Sequence, residues 1–84
     1  MRTKRNGNGK IRKVVINNVR YYREEAHMSQ EELSLKLGKK EDFIERLESG
    51  QTRVEPTLIT VDQIGKILNI PNEYLVAERK HSNE

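Results

Sequence analysis

Residues 29–50 read Ser-Gln-Glu-Glu-Leu-Ser-Leu-Lys-Leu-Gly-Lys-Lys-Glu-Asp-Phe-Ile-Glu-Arg-Leu-Glu-Ser-Gly. Leu33 and Leu37 stand at i, i+4, and Phe43, Ile44 and Leu47 make a second stripe at helical spacing, so the stretch encodes two short amphipathic helices. Ser29 with Glu32 forms a capping box at the start of the first. Gly38 supplies the tight turn between them. Gly50 follows the second, where a glycine in the left-handed conformation closes a helix. Neither helix can bury its stripe alone, so neighbouring helices must cover both.

Those neighbours are legible on either side. Val15, Val19, Tyr22 and Ala26 share one helical face, which predicts a first helix from Val14 to His27. Its start is blurred by the β-branched run Val14-Val15-Ile16. His27 suits the end, because His tolerates positive φ. Helices 2 and 3 span about Gln30–Leu37 and Glu41–Ser49. After a loop from Gln51 to Pro56, a fourth helix runs to Leu68 with Val61, Ile64, Ile67 and Leu68 inward and Asn69 closing it. Thr57 and Thr60 compete as its N-cap, Thr60 with Gln63 as a second capping box. Pro71 opens a fifth helix anchored by Tyr74 and Leu75. Leu35 and Ile59 fall off the predicted core faces. The fold class is all-α with five helices, over residues 14–78, and residues 79–84 are expected to fray.

The chain has 84 residues, no cysteine and a formal net charge of +3, so one small domain is expected, without a disulfide framework or a thiolate metal site. No apolar run approaches the ~18 residues of a membrane span and no signal peptide is visible, so the expected location is the cytoplasm. The charge is divided. Residues 1–13 hold Arg2, Lys4, Arg5, Lys10, Arg12 and Lys13 and no acid, while acids outnumber bases in the remainder. Asn6-Gly7-Asn8-Gly9 lies within this basic segment. A flexible, disordered basic arm over 1–13 is the favoured reading, with an Asn-Gly hairpin as its competitor. His27 and His81 have no metal-ligand spacing, and Asn6–Ile11 lacks the pattern of a phosphate-binding loop. No enzyme, cofactor, metal or small-molecule ligand is expected.

From about Val15 to Val76 the chain resembles the Cro/repressor-type, xenobiotic-response-element-like helix-turn-helix family. The resemblance is carried by Arg20, Arg23, Met28-Ser29-Gln30-Glu31-Glu32-Leu33, Gly38, Ile44-Glu45-Arg46-Leu47-Glu48, Gly50, Pro56-Thr57-Leu58, Ile64, Leu68 and Ile70. It implies a compact five-helix, lambda-repressor-like domain of prokaryotic or phage origin that binds double-stranded DNA. Such a domain is often a homodimer, formed in solution or only on a palindromic operator. It implies that Gln30 opens helix 2 near the DNA backbone, that Lys40, Glu41, Asp42 and Arg46 face the major groove, and that Arg23 and Glu48 pair between helices 1 and 3. His27 replaces a typical glycine, and the loop after Gly50 looks slightly longer than usual.

The residue chemistry gives each position its options. Arg46 can donate bidentately to guanine, or can pair with Asp42 one turn earlier. Lys39, Lys40 and Arg53 suit phosphate, as do Arg2, Lys4 and Arg5 of the arm. Glu41, Asp42 and Glu45 can accept from cytosine N4, favour the helix dipole, or repel DNA and meet a protein. The expected function is therefore a sequence-specific transcriptional regulator, a repressor. The alternative is a protein-interaction module, antitoxin-like or an anti-repressor partner, that uses the acidic helix 3 face.

Overall fold

The computed structural model describes the backbone of residues 3–51 and 56–79 and the side chains from residue 11 onward. Five helices follow one another: α1 (Thr3–Glu25), α2 (Gln30–Lys36), α3 (Phe43–Glu48), α4 (Leu58–Leu68) and α5 (Asn72–Val76). No strand occurs among the described residues. Val15, Ile16 and Val19 of α1, Leu33 of α2, Ile44 and Leu47 of α3, Val61, Ile64 and Leu68 of α4 and Leu75 of α5 make one buried core. The two stripes of residues 29–50 are thus covered by α1 and α4, with α5 packed against those two, as helices too short to stand alone require.

Three expectations are corrected. Helix α1 begins at Thr3 rather than Val14; Met1 and Arg2 lie outside the described residues. Propagating a formed helix is cheap compared with nucleating one, and this carries α1 through Gly7 and Gly9 despite their poor propensity. Helix α3 begins at Phe43 rather than Glu41, because Glu41 and Asp42 form a turn in which Phe43 N–H donates to Lys40 O at 3.0 Å. Ala26 and Tyr74 are exposed rather than core, although the Tyr74 ring stays 6.2 Å from the Tyr22 ring. The pattern at Ala26 fails because α1 ends at Glu25 and Ala26 lies in the turn that follows.

The same device closes the first three helices. His27 (φ 56°), Gly38 (φ 77°) and Gly50 (φ 82°) each take the left-handed conformation after the last turn. In each case two orphan carbonyls are satisfied: Glu24 O and Arg23 O at 3.0 and 3.1 Å, Leu35 O and Ser34 O at 2.9 and 3.0 Å, Leu47 O and Arg46 O at 3.1 and 3.4 Å. Helix α4 is capped by Thr57, whose hydroxyl accepts from Thr60 N–H at 3.2 Å, which settles the competition against Thr60. Asn69 (φ 64°) closes it, and Ile70 N–H reaches Gly65 O at 2.9 Å. Asn72 donates to Asp62, which with Lys66 holds that carboxyl below its ordinary pKa.

Two positions fix α5. A Cβ on Gly65 would stand 2.8 Å from Asn72 Oδ1 and 2.9 Å from Ile70 O, so α5 turns back across a surface only glycine leaves open. Asn18, 2% exposed on the core face of α1, donates through Nδ2 to Leu75 O and Ala77 O at 2.8 Å each and to Tyr74 O at 3.2 Å. It caps the end of α5 from another helix. Its Oδ1 accepts from Arg79 Nε at 3.0 Å, and the Arg79 guanidinium lies 3.9 Å over the Tyr21 ring.

Gly65→Ala adds helix propensity of about 1 kcal/mol at an unhindered site. Here it is expected to destabilise, by about 1–3 kcal/mol, because the new methyl meets a backbone carbonyl that can move only with α5. Urea melting of the variant gives the sign. Asn18→Leu keeps a branched side chain at the site but strands the α5 carbonyls, at an expected cost of about 1–3 kcal/mol in the same melt.

Candidate nucleic-acid interface

The geometry of α2 and α3 depends on a buried hydroxyl. Ser34, fully buried on the inward face of α2, donates to Gln30 O at 2.8 Å and accepts from Ile44 N–H at 2.9 Å. Helix α3 therefore receives its N-terminal cap from α2. Asp42 occupies the local N-cap position of α3 but makes no side-chain cap bond. One oxygen sets the distance between the two helices at their starts.

A charged network sets it at the other end. Arg23 Nε donates to Glu48 Oε2 at 2.7 Å and Nη2 to Glu48 Oε1 at 3.0 Å, a bidentate pair. The Glu48 side chain is 3% exposed and that of Arg23 10%. Arg23 Nη1 donates to Met28 O at 2.8 Å, and Gln30 Nε2 donates to Glu48 Oε1 at 2.8 Å. The hydrogen bonds to Glu48 raise the Arg23 pKa further, against the opposing effect of burial. The Arg23–Glu48 pair expected from the resemblance is present, and Gln30 joins it, tying α1, α2 and α3 together.

Around this framework lie the polar residues singled out in the sequence. Ser29, Gln30, Glu31, Glu41, Asp42 and Glu45 line one open cleft between the starts of α2 and α3. Lys40, Glu41 and Glu45 are exposed, and Lys39 sets its ammonium 5.4 Å from the Phe43 ring centre. Arg46, half-buried, directs Nε to Gln51 Oε1 at 3.4 Å rather than to Asp42. Arg53 lies outside the described residues, as do the side chains of Arg2, Lys4 and Arg5. Gln30, Glu41, Asp42 and Glu45 are thus brought together, while Arg46 and Lys39 stand outside that cleft.

Arg12, read in the sequence as part of the arm, belongs to the body. It donates to Gly50 O at 3.4 Å and to Gln51 O, so α1 neutralises the carbonyl end of α3. Ser34 and Asn18 were missed as well. Each breaks an apolar stripe with a polar residue on its inward face, and that placement is the signal for both. Among the described residues no group of acids and histidines could hold a metal ion, and no helix is long and apolar enough to cross a membrane.

Two short helices joined through a glycine turn, locked at both ends and laid against three others, define a helix-turn-helix domain. A family model described as Helix-turn-helix matches residues 19–75, and the chain belongs to that Cro/C1-type family of DNA-binding transcription regulators. No curated protein and no solved structure matches the chain. The family is a regulatory one that binds double-stranded DNA and is not typically enzymatic.

Removing one partner of the buried pair leaves the other charge without its counterpart. Glu48→Ala is expected to cost about 3–5 kcal/mol in urea melting, a large part of what so small a domain has. A loss below about 0.5 kcal/mol would match an exposed pair instead.

Proposed function

We propose that the protein is a transcriptional repressor in which α3 and the turn before it enter the major groove of an operator. The observation that carries this reading is the lock between α2 and α3, which holds Gln30 beside the exposed edge of α3. Gln30, Lys39, Lys40 and Arg53 fix register on phosphates, and Arg46 with Glu41 and Asp42 reads bases. The basic segment that holds Arg2, Lys4 and Arg5 adds sequence-independent affinity through counterion release. A homodimer on a palindromic site would pair two such helices one turn of DNA apart.

A second reading has its own support. Glu31, Glu41, Asp42 and Glu45 surround one cleft, a surface that repels phosphate and suits a basic protein partner. The two readings diverge in one experiment. After selection of a preferred duplex from a random pool, competition gel shifts at fixed salt compare the parent with Glu41→Gln/Asp42→Asn. The repressor reading expects tighter binding to random DNA and a smaller preference for the selected site, by about 1–3 kcal/mol per lost base contact. An unchanged preference means these acids read no bases. A parent that binds no duplex hands the surface to a protein partner.

A further inference from the structure

We propose that Glu48 is a positioning residue for DNA binding, which fixes the Gln30 amide so that one of its hydrogens is left aimed at a phosphate; this rests on the DNA-binding reading above. A glutamine on an exposed helix face ordinarily samples many rotamers, and ordering it on binding costs affinity. Gln30 is held at both ends instead. Its backbone carbonyl accepts from the Ser34 hydroxyl at 2.8 Å, and its Nε2 donates to Glu48 Oε1 at 2.8 Å.

The chemistry also decides which way the amide faces. Glu48 is a carboxylate bound by Arg23 at 2.7 and 3.0 Å, so it only accepts, and the nitrogen rather than the oxygen of Gln30 must meet it. A primary amide nitrogen carries two hydrogens. Glu48 takes one; the second is left at the edge of the open cleft that Gln30 lines together with Ser29 and the carboxylates of Glu31, Glu41, Asp42 and Glu45, so a phosphate must meet it at the rim rather than inside the cleft. A phosphate oxygen is an acceptor and matches that hydrogen. Glu48 never touches DNA in this arrangement. It acts through Gln30 alone.

The test uses the full chain and a random-sequence duplex at low salt, since a phosphate contact carries no sequence requirement. Gln30→Met, Glu48→Gln and the double variant are compared by fluorescence anisotropy, with a urea melt on each to count only folded protein. Each single variant is expected to raise Kd about tenfold, equal to about 1.4 kcal/mol. The double variant should be no worse than either single within about twofold, because both remove the same contact. The slope of log Kd against log salt should match the parent, because Gln30 carries no charge. Losses that multiply to about a hundredfold, or a Gln30→Met Kd equal to the parent's, would overturn the proposal.

Proton exchange at the Gln30 side-chain amide, read by NMR on the free protein, tests the hold without DNA. One hydrogen should exchange much more slowly than the other, and Glu48→Gln should remove the difference. Two equal rates in the parent overturn the hold. If Glu48→Gln does not fold, the parent's exchange rates and Gln30→Met decide. If the parent binds no duplex while the slow hydrogen is present, it is the DNA-binding reading that has failed, and the positioning role falls with it.

Discussion

A carboxylate that is almost wholly out of water, as Glu48 is, can stay ionised only if its surroundings replace the lost hydration. Arg23 does most of this, with two hydrogen bonds and a full charge, and Gln30 supplies a third donor. The three residues come from three helices, so the solvation of one side chain is also the joint of the domain. Arg23 spends its remaining nitrogen on Met28 O, in the bend where α1 gives way to α2. A buried pair of this kind adds little net stability over an apolar replacement, so its value here lies in orientation. The apolar core would accept a family of helix angles. The network admits one.

Ser34 performs the neutral version of the same task. Its hydroxyl lies between Gln30 O and Ile44 N–H, so the first turn of α2 and the first turn of α3 share an oxygen. With Glu48 at the far end of α3, the short helix is pinned at both termini to the helix before it. Gln30 is the residue both pins reach. A side chain that addresses the solvent edge of the motif is therefore placed by groups that solvent does not touch.

The motif itself was readable because short-range chemistry writes it. Caps, left-handed closures and the stripes at Leu33, Ile44 and Leu47 are local events, and the first three closures at His27, Gly38 and Gly50 all appear. What escaped depends on chain segments far apart. Arg12 looked like one more cation in a basic arm, and only the placement of α3 shows it serving Gly50 O. Asn18 carries no local signal of its role, because the carbonyls it serves belong to α5. For Arg46 the sequence offers Asp42, one turn away, as one possible partner beside guanine, but the internal contact comes from Gln51 in the loop after α3. The start of α3 was read early because Glu41 and Asp42 have the composition of a first helical turn, while Ser34, on another helix, sets where the turn begins.

The bond between Asn18 and the end of α5 joins residues 56, 57 and 59 positions apart, the widest spans among the side-chain bonds of the core apart from its Arg79 link. During synthesis α1 leaves the ribosome with a polar amide on its apolar face and nothing to receive it. That amide stays in water until residues 74–77 have been made. Loop closure of this length is slow compared with helix formation. The opening helix of the domain is thus among the last of its elements to be sealed, and the nascent domain stays open until the final turn of its core has emerged.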